Sequence, residues 1–358
     1  MSEAIYAAGG SDANLFYATK FNTPDPYVFV RTGGKTIIAV GDLEIGRARD
    51  QATVDHVVSA PPGKPPAELI AELLKTKEVE VPENFWTSVA DGLRERGITV
   101  TVRKGVFWPE REIKTADEIR WIEESLRVTA ESIQCAARML QESKIEGEGL
   151  VFENRPLTAE RMRGIMNAYM ASQNCSAKDT IIAGGDQACD PHHIGSGPLP
   201  AHKPIVVDVF PRSIGTMYWG DMTRTFVKGK ASAEVKKMYK AVEEGQQLGM
   251  NLVRDGADGT EVHKRIVELF DKMGYKTEAR GNKMVGFFHG TGHGVGLDIH
   301  EAPSIGRRGT LLKTNAVVTV EPGLYYFGIG GIRLEDVVVV EPKGCRLISQ
   351  CPKVLEIP

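Results

Sequence analysis

The run from Phe288 to Pro303 restricts the chain's options more than any other stretch, because glycine fills every second position from Gly290 to Gly296. A glycine costs a helix about 1 kcal/mol relative to alanine, so this run is not expected to be helical. The spacing of His289 and His293 therefore does not mark two ligands on one helical face. Alternating glycines suit a segment whose backbone runs close to something else, with the side chains between them pointing to it. Three of the chain's eight histidines, His289, His293 and His300, fall within twelve residues here. A single histidine is usually an ordinary packed residue, whereas three in a glycine-rich run point to a site.

A chain of 358 residues is too long for one small core and suits two domains. With 42% apolar and 25% charged residues it has the composition of a globular protein, not of a disordered or collagen-like one. A net charge of −3 gives no broad attraction to phosphate backbones, which argues against a nucleic-acid partner. No apolar run approaches the ~20 residues of a membrane span. The first ten residues lack the basic end and apolar run of a secretion signal. Five cysteines form no pair at the spacing of a redox or zinc motif and leave an odd count, as expected of reduced thiols in the cytoplasm.

The first hundred or so residues alternate strand and helix signals. Tyr27–Arg31 and Thr36–Val40 flank a glycine turn and read as a hairpin. Helices are expected after Pro66, through Leu69, Ile70, Leu73 and Leu74, and around Phe85, Val89 and Leu93; a strand follows at Ile98–Val102. Nothing in this region carries catalytic chemistry, and the lone His56 reads as structural or surface. Thr115 and Glu118 form a capping box that opens a long amphipathic helix through Ile119, Ile122, Leu126, Ile133 and Leu140. A second helix carries Met162, Ile165 and Tyr169, and strands are expected at Thr180–Ala183, Ile205–Asp208 and Tyr218–Val227. The order then recurs: helices through Val235–Val242 and Val262–Met273, then strands near Met284–Phe288, at Ala316–Val320 and at Ile332–Val340. Two helices followed by a set of strands, twice, suggest a duplicated unit whose sheets face one another across a pseudo-twofold axis.

Acids stand at matching places in the two halves. Asp208 closes one apolar strand and Asp221 follows 13 residues later; Glu321 closes another and Glu335 follows 14 residues later. An acid ending an apolar strand is costly to leave unpaired. One reading pairs each with a nearby arginine, Arg224 or Arg333. The other gathers all four in one place, where two divalent cations would cancel their charge and one histidine would add a neutral ligand. An oxygen-rich set with a single imidazole suits Mn²⁺, Co²⁺ or Zn²⁺. Two ions bridged by carboxylates could activate a water between them, with no serine or cysteine nucleophile.

These stretches resemble the pita-bread metallopeptidases, the group containing methionine aminopeptidase, aminopeptidase P, prolidase and the metal-free creatinase. The likeness lies in Asp208–Arg212, Gly220–Thr225, His289–Glu301, Thr319–Gly323 and Gly331–Asp336, within roughly residues 113–358. It implies an α/β (α+β) fold: a small creatinase-like α/β domain over residues 1–112, then a pita-bread catalytic domain over residues 113–358. The early part resembles the creatinase-type domain only in the order of its elements, yet it argues against methionine aminopeptidase, which usually lacks such a domain. By the resemblance Asp208, Asp221, His293, Glu321 and Glu335 match the metal ligands. Asp221 and Glu335 would bridge, and Glu321 would also take the proton of the attacking water. His300 and His192, the latter preferred to His193 because it directly follows Pro191, match histidines that steady the reacting carbonyl. His289 lies where relatives contact the leaving side. Arg333 would support that region or partner Glu335. Asp208 and Asp221 stand two residues further apart than in most relatives, so the turn over 210–217 is expected to be longer with both acids still on their strands.

The resulting expectation is a dinuclear metal-dependent peptidase that removes the residue before proline from Xaa-Pro peptides or dipeptides, using Mn²⁺ foremost. The resemblance also implies a homodimer. Arg307, beside Arg308, is a candidate for the carboxylate of a dipeptide product, with an exposed surface arginine as the competing reading. The alternatives are a creatinase-type or other small-amide C–N hydrolase, and a non-catalytic peptide-binding module.

Overall fold

The computed structural model describes residues 2–358. The chain divides into two compact units, the first ending at Arg111 and the second starting at Glu112.

The first unit is built on a six-stranded sheet in the spatial order His56–Ser59, Lys35–Val40, Pro26–Thr32, Ser2–Ala8, Glu78–Pro82, Thr99–Arg103. The expected hairpin is present, with Val28 opposite Ala39 and Thr32 opposite Lys35 across the Gly33–Gly34 turn. Both glycines have positive φ, which only a residue without Cβ adopts freely. Side chains alternate across the sheet. Val28 and Val30 pack with Leu69, Ile70 and Leu93 from the helices Pro66–Leu73 and Thr87–Glu95. Tyr27 and Phe29 face the other way, onto Leu15, Phe107 and Trp108. The helix expected around Phe85 starts only at Thr87, leaving Phe85 in the turn before it.

The second unit repeats one order of elements. Helices Ala116–Glu142 and Ala159–Ser172 precede a sheet of Ile181–Gly184, Ile205–Val209, Met222–Lys228 and Glu356–Ile357. Helices Ala233–Leu252 and Gly259–Lys272 precede a five-stranded sheet ordered Glu301–Ile305, Gly292–Gly294, Val317–Val320, Asp336–Glu341, Gly344–Leu347. The capping box forms as the sequence indicates, with Thr115 accepting from the Glu118 amide and Glu118 accepting from that of Thr115.

The strand expected near Met284–Phe288 is the short Lys283–Val285, and two further strands differ from expectation at acids. The strand expected to start at Tyr218 starts at Met222, so Asp221 stands just outside its ladder. The single strand expected over Ile332–Val340 is two strands, Gly330–Arg333 and Asp336–Glu341, interrupted at Leu334 and Glu335. The break occurs because the chain changes partners there. Gly330–Arg333 pairs with Gly323–Tyr326, and Asp336–Glu341 pairs with Val317–Val320. The turn over 210–217 is tied down by a short antiparallel pairing of Arg212 and Ser213 with Ser176 and Cys175. No helix among the described residues is long and apolar enough to cross a membrane.

Candidate metal centre

Strand register puts the acids on shared faces. Asp208 pairs with Thr223, two residues from Asp221, so the period of two aims Asp208 and Asp221 the same way. In the other half Val320 pairs with Asp336, so one step beyond the ladder Glu321 stands opposite Glu335. Val318, Val320, Val338 and Val340 enter the core with Val242, Ile266 and Phe270, which leaves the face away from the helices to Glu321 and Glu335. Backbone and side-chain bonds then join the two halves. The Glu335 amide donates to the Thr223 carbonyl (3.1 Å), and Thr225 Oγ1 accepts from the Arg333 amide while donating to its carbonyl.

The alternating glycines act as expected. A Cβ on Gly292 would lie 1.9 Å from the Thr319 carbonyl oxygen, one on Gly294 2.3 Å from that of Ala302, and one on Gly296 2.2 Å from the Glu301 carboxylate. Only bare backbone fits between these neighbours, and His293 between two of the glycines is thereby delivered to the acids. Its Nδ1–H donates to the Gly294 carbonyl (3.2 Å), leaving Nε2 3.3 Å from Glu321 Oε1 and 3.7 Å from Asp221 Oδ2. Potential ligand atoms of Asp221, His293 and Glu335 all lie within 4.8 Å of one another.

Charge in this cluster is unbalanced. Arg333 donates through Nη2 to Asp208 Oδ2 (2.7 Å), and its guanidinium is buried. Among the described residues no lysine or arginine forms an ion pair with Asp221, Glu321 or Glu335. Arg224, the other arginine available to these acids, faces the opposite side and binds Asp336 (2.7 Å), which also receives Lys353 (2.8 Å). A buried acid beside the cluster thus has two cations, while Asp221 faces only the His293 imidazole and Glu335 has no ion-pair partner. Burial, then the charge of Asp208, pushes the Asp221 carboxyl well above the ordinary range. Burial, then Asp221 and Glu321, does the same to Glu335. Glu321 is different: burial works against its charge, but the hydrogen bond and charge of His293 hold it down at about 2. His293 is raised to about 9, its burial being outweighed by Glu321 and Asp221. Asp208 Oδ1 is buried with no hydrogen-bond partner. Four carboxylates, one of them with this orphaned oxygen, and one imidazole nitrogen turned inward form a donor set suited to divalent cations.

The other residues picked from the sequence surround this cluster to different degrees. The His300 ring meets His293 edge-on with centroids 4.2 Å apart, and its pKa is lowered first by burial and then by His293. His192 is exposed, and its amide donates to Asp190 Oδ1 (3.2 Å); no hydrogen bond joins it to the acids. His289 donates from Nδ1 to the Gly290 carbonyl (2.7 Å), so Nε2 accepts from the Tyr325 hydroxyl (2.8 Å). Burial pushes its pKa down to about 4, so the ring is neutral. Arg333 reaches Asp208 rather than Glu335 and also donates through Nη1 to Tyr325 (3.0 Å). Arg307 is exposed and makes no hydrogen bond or ion pair with the cluster.

Sequence reasoning missed Tyr325, Thr223 and Thr319. Tyr325 is fully buried and joins Arg333 to His289; Thr223 donates to Glu335 Oε2 (2.7 Å); Thr319 Oγ1 accepts from the His293 amide (3.1 Å). Each lies two or four residues from a chosen acid, which was the only available signal.

The model of metallopeptidase family M24 matches residues 120–342. An Xaa-Pro dipeptidase of Pyrococcus furiosus is 27% identical over 346 residues, 96% of this chain and 92% of the relative. A putative Xaa-Pro aminopeptidase of Mycoplasma genitalium is 33% identical over 248 residues, 67% of this chain and 63% of the relative. Among solved structures, the prolidase from Pyrococcus furiosus superposes with a TM-score of 0.84 at 24% identity, covering 98% of this chain and 97% of its own. The X-Pro aminopeptidase from Thermotoga maritima gives 0.83 at 22% identity, covering 100% and 97%. These likenesses show that the fold is the pita-bread arrangement.

Proposed function

We propose, on the premise that the chain belongs to metallopeptidase family M24, that it is a dinuclear enzyme releasing an N-terminal residue that precedes proline. Asp208, Asp221, His293, Glu321 and Glu335 would hold two divalent cations, Mn²⁺ foremost with Co²⁺ or Zn²⁺ as alternatives, and Asp221 and Glu335 would be shared between them. When bound, such a pair polarises a carbonyl and lowers the pKa of water enough to make a nucleophile near neutral pH.

The chain's own residues divide the remaining work. Glu321, whose Oε1 lies 3.3 Å from His293 Nε2, takes the proton of the attacking water. His300, at the edge of the His293 ring, donates a hydrogen bond to the oxygen on which charge develops, and His192 would assist it. His289 presents a neutral ring to the leaving side, its tautomer set by Gly290 and Tyr325. Arg333 holds Asp208 and Tyr325 in register and carries positive charge into an otherwise acidic pocket. Arg307 is the candidate contact for a free product carboxylate.

The observation that carries this reading is the set of buried acids without lysine or arginine partners. The preference for proline draws on relatives named Xaa-Pro dipeptidase and Xaa-Pro aminopeptidase. Residues 1–112 are read as a creatinase-type domain in a cytoplasmic homodimer; exposed Leu43, Trp86 and Val106 on the first unit offer apolar contact surface. Incubation of the Mn²⁺- or Co²⁺-loaded protein with Ala-Pro, Ala-Pro-Phe and the matching Ala-Ala series tests the function. Cleavage only ahead of proline is expected; equal rates on the alanine series would retire the proline assignment.

A further inference from the structure

Glu335 lies in the break between Gly330–Arg333 and Asp336–Glu341, where no strand ladder fixes its backbone. Its hydrogen bonds therefore go elsewhere, and they lead to one arginine. The Glu335 amide donates to the Thr223 carbonyl (3.1 Å), and Oε2 accepts from the Thr223 hydroxyl (2.7 Å). The Glu335 carbonyl accepts from Arg224 Nη1 (2.6 Å), and the same Nη1 donates to the Thr223 carbonyl (2.9 Å). Arg224 thus grips both residues that set where the Glu335 carboxylate points.

Arg224 is itself only 1% exposed, and a guanidinium carries five donors, no acceptor and a permanent charge. Its Nη2 donates to Asp336 Oδ1 (2.7 Å) and to the Cys351 carbonyl (2.7 Å), while Nε reaches the Cys351 and Pro352 carbonyls (both 3.3 Å). Asp336, also 1% exposed, supplies the counter-charge and gathers further groups. It accepts from Ser349 Oγ (2.8 Å) and pairs with Lys353 Nζ (2.8 Å). Gln246 Nε2 donates to Asp336 Oδ2 (3.2 Å) and to the Val320 carbonyl (3.0 Å), just before Glu321. Behind the acids there is thus a buried ionic assembly that holds the backbone at Thr223, Val320 and Glu335. Residues 349–353 supply four of its groups: the Ser349 hydroxyl, the Cys351 and Pro352 carbonyls and the Lys353 ammonium.

A buried ion pair adds little net stability over apolar side chains of the same volume, because desolvation offsets the attraction. Its charge-assisted bonds do supply direction, being short and geometrically selective. We propose that Arg224, Asp336 and Lys353 are positioning residues for the Glu335 carboxylate, so that residues 349–353, which carry no ligand, set the affinity of the centre for divalent cations. This rests on the metal-binding reading above and extends it to groups outside the ligand set.

Calorimetric titration with Mn²⁺ of the wild type, Lys353→Met, Lys353→Arg and Asp336→Asn tests the proposal. Lys236→Met serves as the control, since it removes a cation from the exposed Lys236–Glu356 pair and leaves the assembly whole. Lys353→Met is expected to weaken Mn²⁺ binding about tenfold and Asp336→Asn up to about a hundredfold, the range for losing groups that orient metal ligands. Lys353→Arg should restore most of the affinity, and Lys236→Met should match the wild type. The melting temperature of each metal-free protein separates positioning from support of the fold: a purely structural role lowers it while the folded protein binds Mn²⁺ as tightly as before. Unchanged affinity in Lys353→Met and Asp336→Asn, with or without a lower melting temperature, would overturn the positioning role and leave the metal-binding reading intact. An equal loss in Lys353→Met and Lys236→Met would overturn it as well, because that is the mark of general surface charge. If Asp336→Asn does not fold, the comparison of Lys353→Met with Lys353→Arg decides. A wild type that binds no Mn²⁺ would overturn both readings.

Discussion

Loading the centre with metal should release protons, and the structure fixes their origin. Without metal, His293 has a pKa of about 9, so at pH 7 it is ~99% protonated. Its inward Nε2 faces Glu321 and Asp221 and can accept a cation only after losing its proton. Removing that proton at pH 7 costs roughly 3 kcal/mol, on the order of a hundredfold in affinity. Asp221 and Glu335 are also raised, so they add protons to the count. Apparent affinity for Mn²⁺ should therefore rise by up to about tenfold per pH unit above pH 7 through the His293 proton, the slope easing as pH nears 9, with protons from Asp221 and Glu335 adding to it. The sign for stability agrees. The raised pKa of His293 contributes stability that is complete below about 6.5 and is lost as pH rises through about 9, so the metal-free protein should melt progressively lower over that window. Added metal should raise the melting temperature most at the alkaline end. Calorimetric titration in two buffers of different ionisation enthalpy counts the protons directly, and at least one per chain is expected at pH 7. Zero protons released, or an affinity flat from pH 6.5 to pH 9, would refute the reasoning.

Other consequences follow from particular contacts. Tyr325→Phe removes the bridge between Arg333 and His289, at a cost of about 1–1.5 kcal/mol for a lost hydrogen bond; kcat should fall about tenfold while metal content stays at the wild-type level by elemental analysis. His300→Ala should also leave the metal bound but slow turnover a hundredfold or more, by about the ~3 kcal/mol of a lost transition-state donor; loss of metal would show that the wrong histidine was taken as ligand. The Cys189 thiol is pushed up to about 12 by burial, so iodoacetamide at pH 8 should leave it unmodified in the folded enzyme and label it in denaturant, as peptide mass mapping would reveal.

Much of the architecture could be read from the sequence because its signals are local. The Thr115–Glu118 capping box, the turn at Gly33–Gly34 and the repeated helix pairs depend on neighbours in the chain, and all three appear in the structure. The alternating glycines were legible as a demand for close approach, but not what approaches: the Thr319 and Ala302 carbonyls come from strands fixed only by the fold. The gathering of Asp208, Asp221, Glu321 and Glu335 was argued from their strand-end positions and from charge. The break at Leu334–Glu335 was not read because strand-forming residues stand on both sides of it, Ile332 before and Val337–Val340 after, and the change of strand partner that makes it is not local. Tyr325 was missed because nothing local shows that its hydroxyl is buried between Arg333 and His289, a contact made across a hairpin and between sheets.

The central claim is that buried acids from both halves share one pocket because divalent cations neutralise them. Elemental analysis of the purified protein after saturation with Mn²⁺ and removal of free ion tests it most directly, with Asp221→Ala and Glu335→Ala in parallel. The account predicts close to two ions per chain in the wild type and fewer than one in either variant, with activity lost alongside. A saturated wild type holding no tightly bound metal, or variants that keep the full complement, would contradict it.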